Sequence, residues 1–111
     1  MSSGRRRSLP GVTHLQFAVL SQLLRGELPG RLVRRALSRL GERRSAPAFY
    51  QMMARLEEAG LVSGRYDQRV LDGQLIKERH YRVTAAGQRA WERTRDFYEA
   101  QIAVRRAPAD A

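Results

Sequence analysis

Residues 45–62 of the chain are Ser45-Ala-Pro-Ala-Phe-Tyr-Gln-Met-Met-Ala-Arg-Leu-Glu-Glu-Ala-Gly-Leu-Val62, and they predict an amphipathic helix followed directly by a strand. Ser45 can cap the first free backbone N–H groups, and Pro47 fits the first turn, where its missing N–H costs nothing. Gly60 supplies the left-handed residue that ends a helix. The apolar residues recur at helical spacing and form one buried stripe, namely Phe49, Met52, Met53 and Leu56.

The opposite face of this helix carries small, hydrogen-bonding or cationic side chains: Ala46, Ala48, Tyr50, Gln51 and Arg55. Such a face can enter the major groove of DNA without obstructing its own approach. Gln51 can bond an adenine edge, and Arg55 or Arg44 can reach guanine or phosphate. The pattern therefore predicts a recognition helix that starts at Ser45.

Length and composition exclude several classes of protein. A chain of 111 residues predicts one domain, and the absence of cysteine excludes disulfides, thiolate catalysis and cysteine-based zinc sites. Two histidines are too few for a convincing metal site, and no apolar run approaches the roughly 20 residues that span a bilayer. We therefore expect a cytoplasmic protein, associated with the nucleoid and without membrane contact.

The net charge of +10 favours double-stranded DNA as the partner. Twenty of the 21 cationic residues are arginine, which pairs with phosphate bidentately. Residues 1–60 carry 11 Arg against 4 Glu, a net charge of +7, whereas residues 61–111 carry +3. This asymmetry favours a concentrated phosphate-binding patch over an evenly solvated arginine-rich surface. The predicted phosphate clamps near the recognition helix are Arg34, Arg35, Arg43 and Arg44.

Two further helices are predicted before the recognition helix. Thr13 caps the first, which ends at Gly26, and a turn at 27–30 leads into the second. A short turn at 41–44 then joins the second helix to the recognition helix, which makes a helix-turn-helix. The predicted organisation is a flexible basic arm at 1–11, a winged helix-turn-helix domain at 12–84, a dimerisation helix at 85–106 and a tail at 107–111.

A hairpin follows the recognition helix. Residues 61–66 and 76–84 predict two strands, and Asp72-Gly73 between them is a strong hairpin dipeptide. A hairpin after a helix-turn-helix is a wing, although an ordinary solvated hairpin has the same pattern. The cations expected to flank its tip and to contact phosphates or the minor groove are Arg65, Arg69, Lys77 and Arg79.

The last helix is predicted from Ala85 to near Arg106, with Thr84 as its cap. It carries more large apolar residues than so small a monomer can readily cover, so we predict a symmetric contact with a second chain. A helix folded back on its own core is the alternative. The predicted dimer-interface residues are Trp91, Phe97, Tyr98 and Ile102.

Two strings of residues resemble the PadR family of bacterial transcriptional regulators. Phe49-Tyr-Gln51 with Arg55-Leu-Glu-Glu-Ala-Gly-Leu-Val62 is similar to the family's recognition helix, and His80-Tyr-Arg-Val-Thr-Ala-Ala-Gly87 is similar to the end of its wing. The opening segment Ala18-Val-Leu20 with Leu24-Arg-Gly-Glu-Leu28 is similar to its first helix. The resemblance covers about Leu15 to Trp91.

The resemblance implies a dimeric winged helix-turn-helix repressor that binds a pseudo-palindromic operator, with the last helix supplying much of the dimer contact. It implies that Tyr50 is directed at the DNA backbone and that Arg79 is the basic residue of the wing. It also implies that a small flat aromatic effector can bind beside Trp91, although the sequence itself calls for no cofactor. The wing is longer than the family's usual version, and a single C-terminal helix is typical of the short members.

The expected fold is therefore α+β and mostly helical, with a two-stranded wing and a C-terminal dimerisation helix. We expect no enzyme, because the chain has no glycine-rich phosphate loop, paired carboxylate motif or nucleophile–base constellation. The expected function is that of a sequence-specific regulator of transcription, with repression preferred to activation. The alternative is an architectural DNA-binding or protein/RNA adaptor module without operator specificity.

Overall fold

The computed structural model describes residues 12–106 and places four helices and three strands in them. The helices are α1 (His14–Leu23), α2 (Gly30–Arg39), α3 (Ala46–Glu58) and α4 (Ala85–Arg106), and the strands are β1 (Leu28–Pro29), β2 (Val62–Leu71) and β3 (Gln74–Val83). The strands form one antiparallel sheet in the order β1-β3-β2. The predicted mostly helical α+β fold with a winged helix-turn-helix is confirmed. The N-terminal arm and the tail lie outside the described residues.

The predicted helix caps are confirmed for three helices. Thr13 and Gln16 form a reciprocal capping box at the start of α1, and the Ser45 hydroxyl accepts a hydrogen bond from the Ala48 N–H at 3.2 Å. The Thr84 hydroxyl accepts from the Gly87 N–H at 3.0 Å and so caps α4. These side chains satisfy N–H groups that a helix start leaves without a backbone partner.

The strands correct the sequence prediction in two respects. The wing strands run to Leu71 and from Gln74, well beyond the predicted ends, and only Asp72 and Gly73 form the turn. Both turn residues have positive φ, 52° and 78°, as a two-residue hairpin turn of the primed type requires. The prediction of a two-stranded wing also missed β1, which pairs with β3 through Leu28 opposite Tyr81 and Pro29 opposite His80.

One hydrophobic core joins α1, α2, α3 and the base of the sheet to the first half of α4. Its fully buried members include Leu20, Leu37, Phe49 and Tyr81, and α4 contributes Ala90 and Thr94. From Asp96 onwards every described residue of α4 is exposed. The helix therefore begins on the core and extends beyond it.

Gly87 brings α4 into close contact with the rest of the fold. A Cβ atom at this position would lie 2.0 Å from the carbonyl oxygen of Leu61, at the junction of α3 and β2. Because this neighbour is backbone, the chain can accept a larger residue only by moving α4 away from that junction.

We expect Gly87→Ala to lower the free energy of unfolding by about 1–3 kcal/mol, although alanine favours a helix more than glycine does. Denaturant unfolding followed by circular dichroism measures the change. Gln88→Ala, at the adjacent exposed position of the same helix, serves as the control and should shift stability by about 0.5 kcal/mol or less. Equal stability of Gly87→Ala and wild type would show that the close approach does not exist in solution.

Candidate nucleic-acid interface

The outward face of α3 is exposed as predicted. Ala48, Gln51 and Arg55 are exposed and lie on one side of the helix, whereas Ala46 is half-buried. Ser45 is exposed at the N-terminus, where the helix dipole and free N–H groups favour an anion. The helix therefore presents a shallow polar surface with a positive start.

Tyr50 lies beside this face and leans against the start of α2. A Cβ atom at Gly30 would be 2.8 Å from the Tyr50 hydroxyl oxygen, so a larger residue at this position would displace the Tyr50 ring. The Tyr50 ring also packs edge-on against Phe49, with 4.9 Å between ring centroids, and the side chain stays 38% exposed. The hydroxyl is therefore held near the surface at the meeting point of α2 and α3.

An arginine-lined cleft, which we call the arginine cleft, lies between α2 and the turn that precedes α3. It encloses about 350 Å³ and is lined by Arg31, Arg34, Arg35, Ser38, Arg43 and Arg44. It contains all four predicted phosphate clamps. Because its described lining holds five arginines and no carboxylate, the cleft is a concentrated positive surface.

Hydrogen bonds hold only part of the arginine cleft in place. Arg34 Nε donates to the carbonyl oxygen of Arg44 at 3.0 Å, and Arg44 lies 3.5 Å from the carboxylate of Glu42. Among residues 12–106, Arg35 and Arg43 take part in no ion pair. These two guanidinium groups are therefore free to take an external anion.

A second cleft, the helix–wing cleft, separates α3 from the wing. It encloses about 620 Å³ and is lined by Gly30, Arg31, Tyr50, Ala54, Glu57, Tyr66, Lys77, Glu78, Arg79 and Tyr81. Burial raises the pKa of the Tyr81 phenol, which lines this cleft, to about 12. Sequence analysis missed Gly30, Glu57 and Tyr66 as site residues, because only the fold brings their three elements together.

Arg79 is tied to α3. Its guanidinium donates to both carboxylate oxygens of Glu57, at 2.7 and 3.3 Å, and lies 4.7 Å from the centre of the Tyr66 ring. The hydrogen bonds to Glu57 raise the pKa of Arg79 above its ordinary value. The predicted place of Arg79 at the tip of the wing is wrong. Arg79 pairs with Tyr66, and the pairing of β2 with β3 continues beyond this point to Leu71 and Gln74, which flank the turn. Arg79 instead joins the middle of β3 to α3.

The other face of the wing carries a network of ion pairs. Arg65 binds Glu27 at 2.5 Å, and Glu78 receives hydrogen bonds from Arg31 and from Arg69. Hydrogen bonds from Arg65 and Arg31 hold the pKa values of Glu27 and Glu78, respectively, below the ordinary range. The prediction that Arg65 flanks the tip is wrong, because Arg65 pairs with His80 near the base of the wing. Arg69 pairs with Ile76 near the tip, as predicted, and its side chain is ion-paired with Glu78.

His80 lies inside this network. Its Nδ1 atom is 3.3 Å from Glu27, and its Nε2 atom is buried, 3.8 Å from Asp67, with no hydrogen-bond partner. Strand alternation places Asp67 and Glu78 on the same face of the wing as His80, whereas only the fold brings Glu27 to the ring. Within residues 12–106 no group of side chains has an arrangement that could hold a metal ion.

The predicted dimer-interface residues divide into two groups. Trp91 packs within the chain, since its ring stacks on Phe17 at 5.5 Å and its Nε1–H donates to the Ser21 hydroxyl at 2.8 Å. Tyr98 also meets Phe17 edge-on. Phe97 and Ile102 are 45% and 48% exposed and keep much of their apolar surface uncovered within the described chain.

None of the described helices is long and apolar enough to cross a membrane.

Comparison with solved structures supports the fold. A PadR family transcriptional regulator from Eggerthella lenta is 27% identical, with a TM-score of 0.64 over 79% of this chain and 74% of that one. A PadR family transcription regulator from Clostridium difficile is 16% identical, with a TM-score of 0.71 over 83% of this chain and 94% of that one. No protein-family model and no curated protein matches the chain.

A third structure contains DNA. Bacillus subtilis PadR in complex with operator DNA is 24% identical, with a TM-score of 0.58, and the match covers 72% of this chain and 46% of that one. The chain therefore has the PadR-like winged-helix fold, as the sequence resemblance predicted. The prediction that it is not an enzyme is confirmed by this likeness to transcriptional regulators.

The ion pairs of the wing predict a loss of stability in acid. Because Glu78 has a lowered pKa in the folded protein, its stabilising contribution is complete above its ordinary value of 4.5 and disappears as the pH falls through the lower folded value. We expect Glu78→Gln to have a lower Tm than wild type at about pH 7, and this difference should shrink below pH 4.5.

Thermal unfolding at a series of pH values measures this difference. Glu58→Gln is the matched control, because Glu58 is exposed and forms no ion pair within residues 12–106. Its Tm should follow that of wild type throughout. A Tm difference for Glu78→Gln that stays constant from neutral to acid pH would contradict the ion-pair assignment.

Proposed function

We propose that this chain, which has the PadR-like fold, is a DNA-binding transcriptional regulator and acts as a dimeric repressor on a pseudo-palindromic operator. The observation that carries the proposal is the position of the arginine cleft directly beside the capped start and exposed polar face of α3. The likeness to PadR-family regulators, one of them bound to operator DNA, supports it. We place the protein in the cytoplasm, where it has access to DNA.

In this proposal α3 lies in the major groove. Ala48 leaves room for close approach, and Gln51 can bond the N6 and N7 atoms of adenine. Arg55, one turn further along, can reach guanine or a phosphate. Because Gln51 and Arg55 are both exposed and sit on a helix whose other side is fully buried, the core fixes their direction towards the groove.

Phosphates would bind in the arginine cleft. Neither Arg35 nor Arg43 forms an ion pair with a carboxylate of the described chain, so both can pair with phosphate without breaking an existing ion pair. The free N–H groups at the start of α3 add to the attraction. Lys77 can contact a phosphate from the wing side, whereas Arg65 and Arg79 would have to exchange a carboxylate for the phosphate.

A second copy of the chain would pack on the exposed half of α4. Phe97, Ile102 and Val104 are 45%, 48% and 72% exposed, and all three follow Thr94, the last buried residue of the helix. A two-fold axis there would present two α3 helices to successive major grooves, about 34–36 Å apart. An aromatic effector beside Trp91 stays a prediction, and it would meet Phe17 and Arg95, which already lie against the indole.

The proposal is tested by selecting bound sequences from a random duplex library at two salt concentrations. A two-fold symmetric motif with half-sites about one helical turn apart supports operator recognition. Enrichment without a motif, lost as salt rises, would contradict it and would favour an architectural binder that contacts only the DNA backbone. Tight binding of RNA or a protein with no duplex enrichment would instead favour an adaptor.

Base contacts and phosphate contacts predict different mutant behaviour. On the selected duplex, Gln51→Ala should weaken binding by about 1–3 kcal/mol and have little effect on unrelated duplexes. Arg43→Gln should weaken binding to all duplexes and reduce the slope of log K against log salt by about one. Fluorescence anisotropy titrations at several salt concentrations measure both.

Gln88→Ala is the control for these titrations, because Gln88 is an exposed glutamine on α4 instead of on α3. It should leave the preference for the selected duplex unchanged. If Gln51→Ala weakened selected and unrelated duplexes equally, Gln51 would not be a base-reading residue.

The dimer is tested separately. Phe97→Ser combined with Ile102→Ser should convert the dimer to a monomer in sedimentation equilibrium, with a loss of at least about tenfold in dimer affinity, because two large apolar side chains leave the contact. Ala103→Ser, on another side of the same exposed segment, should stay dimeric. A wild-type monomer at concentrations that saturate DNA would contradict dimerisation through α4.

A further inference from the structure

The strand β2 forms one edge of the sheet. The sheet order is β1-β3-β2, and β2 runs for ten residues, Val62–Leu71. Leu71 and Gln74 close the two-residue turn and exchange hydrogen bonds, and bonded pairs then alternate with unbonded pairs back along the two strands. The backbone groups that point away from β3 in the outer half of β2 therefore belong to Tyr66, Gln68 and Val70.

These outward backbone groups are free within residues 12–106. No backbone or side-chain group of this part of the chain forms a hydrogen bond to them. The edge contains no proline, and it is regular, because each residue from 62 to 71 has one partner on β3. Tyr66 and Val70 are 57% and 71% exposed, and Gln68 is also exposed. A long and regular strand edge of this kind is a template for pairing with another strand.

The edge is complementary to a second copy of itself. In an antiparallel alignment with a two-fold axis at Gln68, this residue faces its own counterpart, and Tyr66 faces the partner's Val70. The outward backbone groups then lie opposite one another, and each facing pair can exchange two hydrogen bonds. An axis at Tyr66 would instead place the partner's turn beside Gly60, which is no longer part of the strand. The strand bounds therefore favour the axis at Gln68.

Charge also favours this alignment. Asp67 lies directly opposite Glu78 of β3, and two like charges in such a pair repel each other. Arg69 lies 3.3 Å from Glu78, and Arg65 lies 3.5 Å from Asp67. In the alignment about Gln68, the partner's Arg69 lies across from Asp67 on its open side and offsets the repulsion. The two-fold axis forms this contact twice.

Apolar side chains on the opposite face of the wing become continuous in the same alignment. Tyr66 faces the partner's Val70, and Leu75 of β3 lies directly across from Val70 within each chain. Val70 and Leu75 are 71% and 66% exposed in the single chain. Aromatic and β-branched side chains are favourable cross-strand neighbours. The pairing therefore covers apolar surface that the fold of one chain leaves open.

We propose that β2 is a self-association edge, through which the wings of two copies of this chain pair antiparallel about Gln68 and form one continuous sheet. The inference goes beyond the proposed function, because it needs neither DNA nor the contact through α4. A few main-chain hydrogen bonds contribute little net free energy against the cost of association, so the pairing is weak between free chains. It is strongest between copies that another contact already holds close together.

A single cysteine at the axis traps this weak contact. The chain has no cysteine of its own, so Gln68→Cys introduces the only thiol. In the alignment, the Cα atoms of the two residues 68 lie about 5.5 Å apart, a distance that a disulfide spans. Gln74→Cys is the matched control, because Gln74 is an exposed glutamine of β3. Three strand spacings keep its Cα atom at least about 14 Å from that of its counterpart.

Non-reducing electrophoresis after equilibration in a glutathione redox buffer measures the disulfide-linked dimer. We expect at least about fivefold more of it from Gln68→Cys than from Gln74→Cys. Equal yields from the two variants would overturn the inference. Because neither variant changes a charge or requires DNA, this outcome is separate from the duplex selection that tests the proposed function.

Charge reversal tests the alignment itself. In the Gln68→Cys background, Asp67→Arg places arginine opposite arginine across the axis, and Arg69→Asp places aspartate opposite aspartate. We expect each variant alone to lose about fivefold or more in disulfide-linked dimer and an equal mixture of the two to recover it, because opposite charges then face each other at both contacts. Crosslinking that is unchanged in the single variants, or no recovery in a mixture of variants that circular dichroism shows to be folded, would overturn the alignment. If either charge variant unfolds, the comparison of Gln68→Cys with Gln74→Cys decides the question.

Discussion

Two carbonyl groups at the end of α3 fix the geometry on which the rest of the molecule depends. The Thr84 hydroxyl donates a hydrogen bond to the carbonyl oxygen of Gly60 at 2.6 Å. The backbone N–H of Thr84 donates to the carbonyl oxygen of Leu61 at 3.1 Å. The same hydroxyl accepts from the N–H of Gly87, which lies against Leu61. One residue thus joins the end of α3, the end of the wing and the start of α4. A change at this junction would move all three relative to one another.

The wing is oriented by a second set of contacts that use charge. On the face of the wing that carries Tyr66, Arg79 joins β3 to Glu57 of α3, and on the opposite face Arg65 joins β2 to Glu27 ahead of α2. Because the two ties lie on opposite faces, they resist rotation of the hairpin in both directions. Surface ion pairs are individually weak, so this restraint is a matter of orientation more than of stability. The base of the wing is held while its outer end stays free to meet a partner.

Local sequence signals predicted most of the fold, and the misses have a physical cause. Ser45, Thr13 and Thr84 are caps whose partners lie three residues away, so sequence alone locates them. The strand β1 exists only because Leu28 and Pro29 meet β3, which no local pattern reveals. The exposed face of α3 was predictable from helical periodicity. The ion pairs were not, because Arg65 and Glu27 are 38 residues apart and Arg31 and Glu78 are 47 apart.

These pairings change what the net charge of +10 means for binding. An arginine bound to a carboxylate can contact a phosphate only after that carboxylate is displaced. The binding free energy that it contributes is therefore the small difference between an arginine–phosphate pair and an arginine–carboxylate pair. Arg35 and Arg43 carry no such cost within the described chain, and they lie in the cleft beside α3. The wing, by contrast, keeps Arg65, Arg69 and Arg79 in internal ion pairs. Electrostatic attraction for an anionic partner therefore concentrates at the helix-turn-helix.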